Sequence, residues 1–224
     1  VEILNGRIQS NQVGLNTRND LNIIGGQIQA DQAVDLNVGR NFNLESSTQH
    51  SENKIGESTF TYTGLDRVAG VYTKAPKEIK SIDTENLKTS ISIRVGGDTT
   101  LKAAEIQNNN GSTIIQTQGN LNIGGITTEI NNRGYADQNN YNYSKKQQDV
   151  GSVIQSVADT RLQAENIAVK GSQVSSEQGS TILSAQQDID ISEGRKLLDT
   201  ERAFKVKEKS TFSKTVRQGY VRNM

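Results

Sequence analysis

Apolar residues recur along this chain in short alternating runs, never in long stretches. Ile8, Val13, Leu15, Leu21 and Ile23 match Ile28, Val34, Leu36, Phe42 and Leu44 about 20 residues on, once a single-residue insertion is allowed. Further along, the segment from Gly111 to Ile123 aligns without gaps onto the segment from Gly179 to Ile191, 68 residues later. Upstream of that match, Leu101 and Ile106 correspond to Val169 and Val174. All four copies end in an apolar-polar-apolar triplet: Leu21-Asn22-Ile23, Phe42-Asn43-Leu44, Leu121-Asn122-Ile123 and Ile189-Asp190-Ile191. Alternation is the signature of a strand with one buried face. Each run is bounded by Gly, Asn or Asp and so ends in a turn. Three such runs per coil, repeated at constant length, predict an all-β parallel β-helix whose coils stack at about 4.8 Å around a ladder of Ile, Leu and Val. A four-stranded antiparallel sandwich competes with this reading but predicts no period of coil length.

The pattern breaks just past the final triplet of the second, third and fourth copies. One β-helix segment is therefore expected over 1–224, with coils at about 5–45, 93–125 and 161–193 and insertions at about 46–92, 126–160 and 194–224. Insertions at one phase of a solenoid emerge from one face as a row of protrusions. Phe60-Thr61-Tyr62 and Val71-Tyr72-Thr73 read as the two arms of a hairpin, and Tyr141-Asn142-Tyr143 alternates likewise. Residues 76–90 and 145–158 are more polar and read as short helix or loop, with Pro76, the only proline, marking a break. Tyrosine offers a large contact area with a polar tip. Tyr62, Tyr72, Tyr135, Tyr141 and Tyr143 are thus the candidate contact residues, against the alternative that their rings cover the side of the solenoid.

Composition sharpens this picture. Only 32% of the residues are hydrophobic and 4% aromatic, too few for a large globular core, so the periodic ladder must supply what burial there is. Cysteine is absent, which removes disulfides and thiolate metal sites. No apolar run approaches the roughly 20 residues of a membrane-spanning helix. The net charge is zero but uneven, for residues 194–224 hold nine Lys/Arg against three Asp/Glu. A basic tail can attract nucleic acid or anionic membrane. A solvated hairpin or helix is the plainer reading, and no nucleic-acid partner is expected.

Candidate chemistry is sparse. Glycoside hydrolysis needs two carboxylates across a cleft; Asp188 and Asp190 share a strand face, but it is the outward one, with Ile189 and Ile191 in the core phase. His50, the single histidine, has only Glu52 nearby as a second ligand. Gly96-Gly97-Asp98 lacks the repetition of a calcium-binding nonapeptide. No enzyme activity, metal or cofactor is expected, and a carbohydrate-active β-helix is the alternative.

Gly26-Gln-Ile-Gln-Ala-Asp-Gln-Ala-Val-Asp-Leu-Asn-Val38, Val95-Gly-Gly-Asp-Thr-Thr-Leu-Lys-Ala103, Gly171-Ser-Gln-Val-Ser-Ser176 and Ile189-Asp-Ile191 resemble the haemagglutinin-repeat region of filamentous-haemagglutinin-like exoproteins. That resemblance implies a right-handed β-helical fibre, secreted through an outer-membrane two-partner transporter to the surface of a Gram-negative bacterium. It also implies one of two roles, adhesion or the contact-dependent delivery of a C-terminal toxin into a neighbouring bacterium. The partner would be a receptor or envelope component of the target cell, and the chain would be part of a longer one.

Overall fold

The computed structural model describes residues 1–75, 89–209 and 214–223. Contacts divide them into two compact units. The first comprises Val1–Ser47, Leu65–Ile126 and Val150–Gly194, and the second Thr48–Gly64, Thr127–Asp149 and Arg195–Met224.

The first unit is the parallel β-helix. Its strands pair in parallel with strands one coil away, in the register expected from the repeat: Ile8 with Ile28, Val13 with Val34, Leu15 with Leu36, Leu21 with Phe42 and Ile23 with Leu44. The single-residue insertion is a register shift between Ser10 and Gln12. Each coil contributes to three ladders. The first passes through 7–10, 27–30, 70–73, 105–108, 153–156 and 173–176. The second passes through 12–17, 33–38, 91–95, 113–117, 160–164 and 181–185. The third joins Glu2–Leu4, Leu21–Ile24, Phe42–Glu45, Thr99–Lys102, Asn120–Gly124, Asn166–Lys170 and Ile189–Ser192. Inward residues of all three, among them Leu21, Ile28, Leu36, Phe42, Ile93, Leu101 and Ile106, are fully buried. Each such aliphatic side chain contributes roughly 1.5–3 kcal/mol on burial. Ile189 and Ile191 continue the same rows opposite Ile167 and Val169, yet they are exposed because their strand is the last of its ladder.

Three stretches differ from the sequence expectation. Val71 and Tyr72 do not form a hairpin arm with Phe60 and Tyr62; Gly70–Thr73 lies in the first ladder, with Val71 buried between Ile28 and Ile106. A whole coil also occupies 153–170, where insertion was expected up to 160. Ile154, Leu162 and Ile167 pair with Ile106, Ile115 and Leu121 on one side and with Val174, Leu183 and Ile189 on the other. The 68-residue offset therefore spans two coils and an insertion. Strand Asn140–Val150 replaces the helix or loop expected from 145. Pro76 and the polar stretch around it lie outside the described residues up to 88.

The corner from the third ladder back to the first explains where insertions enter. In the uninterrupted coils it is two residues long, and its first residue takes a left-handed conformation: Asn5 at φ 50°, Gly25 at φ 60°, Ala103 at φ 48° and Gly171 at φ 55°. Asn and Gly tolerate this region and Ala is strained there by roughly 1–2 kcal/mol. From Phe42–Glu45 onward, every second coil leaves this corner open, after residues 45, 124 and 192. Buried serines close the feet of the first two openings. The Ser46 hydroxyl donates to the Ala103 carbonyl and accepts the Ala69 N–H, while that of Ser152 donates to the Gly124 carbonyl and accepts the Ala104 N–H.

The second unit is an antiparallel sheet built from three hairpins, one from each opening. Its strand order is Lys214–Asn223, Lys196–Lys209, Asn140–Val150, Ile126–Asp137, Ser58–Arg67 and Ser47–Ile55. Hairpins join across their outer arms, Ile130 opposite Tyr62 and Tyr141 opposite Ala203. Each hairpin thus supplies two strands for every two coils.

Candidate functional site

Four of the five candidate tyrosines belong to the hairpin sheet, and Tyr72 does not. Tyr72 is a ladder residue opposite Gln29 and Gln107. Its hydroxyl donates to Glu105 at 3.0 Å, and burial, followed by the Glu105 charge and hydrogen bond, pushes its pKa well above that of a free phenol. It is a side chain of the ladder, not of a hairpin.

Tyr135 and Tyr141 share one site. They line a cleft of 530 Å³ together with Asn140, Asn142, Arg202 and Phe204. The residues reach it from three strands, 126–137, 140–150 and 196–209. The turn at its edge is fixed by Asp137, whose carboxylate accepts the Asn139 N–H at 2.7 Å and the Asn140 side-chain amide at 2.9 Å. Those bonds, the Asn140 amide first, hold the Asp137 pKa below the ordinary carboxylate range. The Asn140 side-chain oxygen in turn accepts the Lys205 backbone N–H at 2.9 Å, tying the turn to the neighbouring hairpin.

Two of the aromatic rings lining this cleft carry a guanidinium beside them. The Arg133 guanidinium lies 5.4 Å from the centre of the Tyr135 ring, and that of Arg202 lies 5.9 Å from the Phe204 ring. Both fall within the range of a cation–π contact. Tyr141 donates to Glu201 at 2.6 Å, and that bond, with burial, raises its pKa. Tyr143 stands opposite Glu201 in the same strand pair, and Tyr62 stands further along the sheet opposite Ile130. Tyr220 is opposite Ala203. Phe204 and Tyr220 are 39% and 58% exposed, so aromatic surface remains open on this sheet. The sequence reading missed Arg133, Arg202 and Phe204. The alternation Arg202-Ala203-Phe204-Lys205-Val206 is a strand signal, but the pairing that brings it beside Tyr141 is non-local.

The chemistry offered is contact chemistry: stacking faces, planar cations and amides, with acidic partners already engaged. Asp188 and Asp190 are both exposed; the Asp188 N–H donates to Asn166, and Asp190 pairs with Ala168 in the ladder. His50 bonds Thr63 across a hairpin at 2.9 Å. Among the described residues no three potential metal ligands converge.

Residues 4–59 match the hemagglutinin repeat family, a span that covers the first coils and the first arm of the first hairpin. No curated protein and no solved structure matches the chain. The match agrees with the resemblance of this stretch to the repeat region of filamentous-haemagglutinin-like exoproteins. Such repeats are typical of secreted or cell-surface exoproteins and of non-enzymatic segments.

Proposed function

We propose that this chain is a non-enzymatic presentation segment of a cell-surface exoprotein, in which the coils act as scaffold and the hairpin sheet makes contact with a neighbouring cell. The observation that carries this reading is the placement of the hairpins. They recur at one corner in alternate coils, and instead of ending as separate loops they pair into one sheet, which gathers Tyr135, Tyr141, Arg202 and Phe204 around one cleft. A scaffold alone needs none of this, because the uninterrupted coils close the same corner in two residues.

The partner is a receptor or envelope component on the target cell, reached after export through an outer-membrane transporter of a Gram-negative producer. The role is adhesion or the delivery of an attached toxin into that cell. The family match supports surface exposure; the aromatic and arginine content of the cleft supports contact, since such residues are enriched where proteins bind one another.

Replacing residues 127–149 by a short Gly-containing turn in the full-length exoprotein tests the reading. Export should continue, because the coils retain their ladder, and attachment to target cells should fall. Normal attachment by a properly exported variant would contradict it.

A further inference from the structure

A second polar surface lies on the β-helix itself. Along the second ladder one outward position per coil is occupied, in register, by Asn16, Asn37, Arg94, Gln116 and Gln163. Successive members are one strand spacing apart, about 4.8 Å. They form one wall of a trough of 770 Å³. The corner beside them is filled by Arg18 and by Gln118 but is bare at the two coils between, where Gly39 and Gly96 stand. A Cβ on Gly39 would lie 2.2 Å from the Arg18 carbonyl oxygen, and one on Gly96 would lie 2.4 Å from the Gly39 carbonyl oxygen. Backbone stacking therefore keeps the middle of the trough free of side chains.

The wall is ordered in advance. The Asn37 amide donates to the Asn16 side-chain oxygen at 3.0 Å, and the Gln116 amide donates to that of Gln163 at 3.2 Å. Arg94 is held by Asp35 at 3.1 Å. The Asn37 amide also donates to Asp35 at 3.3 Å and its oxygen accepts from Arg94 at 3.5 Å, so the donors these bonds leave unspent are those of Asn16, Gln116 and Gln163. Fixing them beforehand lowers the ordering cost of binding.

We propose that this trough binds an extended linear glycan. Hydroxyl groups both donate and accept, as the free halves of the amides do, and a regular polymer can meet a wall of regular spacing. Other polymers fit less well. An added peptide strand needs an unpaired sheet edge, whereas the inner strands of this ladder are paired on both sides. A nucleic acid needs a row of cations to neutralise its phosphates, and of the two arginines here one is already paired. The trough is independent of the hairpin sheet, so either site can fail without the other.

The test uses the whole chain with two probes, cellohexaose and a hexamer of galacturonate, titrated while the side-chain amide NMR signals are followed. At least one hexamer should shift the amides of Asn37, Gln116 and Gln163. The double variant Asn37→Ala/Gln116→Ala, altered only at outward positions, should bind at least tenfold more weakly with an unchanged melting temperature. Binding of neither hexamer, binding that the double variant retains, or shifts confined to the hairpin sheet would each overturn the proposal.

Discussion

The carboxylate of Asp98 accepts the backbone N–H of Asn120, one coil further on, at 2.7 Å. The same relationship joins Asp20 to Asn41 at 3.0 Å, Asn41 to Asp98 at 2.9 Å and Asn166 to Asp188 at 3.2 Å. At this corner a side-chain oxygen of one coil takes the N–H with which the next begins its third-ladder strand. The Asn and Asp that precede each apolar triplet are thus clasps between coils. Asp188 enters this series through its backbone N–H, at the start of the last strand of the third ladder.

Removing one clasp should weaken the stack locally. Asn41→Ala leaves the Asp98 N–H without its side-chain acceptor and should lower unfolding free energy by about 1 kcal/mol. Asn41→Asp keeps an acceptor and should stay near the parent value. Urea denaturation of both variants checks the difference.

Ser152→Ala should cost more, roughly 1–3 kcal/mol, since it strips the buried Ala104 N–H of its acceptor at the foot of the second insertion. Proteolysis should also change. Cleavage within 125–152 should become faster in this variant, while cleavage elsewhere follows only the global loss of stability.

Glycines at two positions should respond oppositely. Gly39→Ala places a methyl group against the Arg18 backbone and should destabilise by more than about 1 kcal/mol. Gly14, on an outward position of the second ladder, has nothing within 4 Å of an added Cβ. Gly14→Ala should therefore be neutral or slightly stabilising in thermal melts.

Acid should loosen the coils through their clasps. The Asp159 carboxylate accepts the Ser180 N–H at 2.8 Å, and this bond first, with Arg161 second, holds its pKa below the ordinary carboxylate value. Asp20 is lowered likewise, by Arg40 first and then by the Asn41 N–H. A folded pKa below the unfolded one gives stability that is fully present above the ordinary carboxylate range, near pH 4. That stability is lost as pH falls through the depressed value. Melting temperature should accordingly drop more steeply below pH 4 for the parent chain than for Asp159→Asn, whose amide has no such titration. Equal slopes would contradict the linkage.

Much of the β-helix is legible in the sequence because its signal is local. Leu21-Asn22-Ile23 and Phe42-Asn43-Leu44 state period, phase and register together, and the pairing follows them. The coil at 153–170 escapes notice because its inward positions include Ser156, Thr160 and Ala164 in place of large aliphatics. Those polar groups are satisfied inside, as when Ser156 bonds Thr113 at 2.7 Å and Thr160 bonds Ser156 at 2.9 Å. An apolar pattern cannot reveal such a core. Tyr72 misled for the opposite reason, since Val71-Tyr72-Thr73 alternates identically in a ladder and in a hairpin arm. The cleft was the least legible feature, because Tyr141 and Ala203 are neighbours only through pairing between separate insertions.

The most direct measurement of the central claim is target-cell binding by the full-length exoprotein carrying Tyr135→Ala and Tyr141→Ala, compared with the parent at matched surface levels. Both changes lie in the hairpin sheet and leave the coils intact. Export should stay at the parent level while binding falls at least tenfold. Binding equal to that of the parent would contradict the claim and return the contact role to the coils.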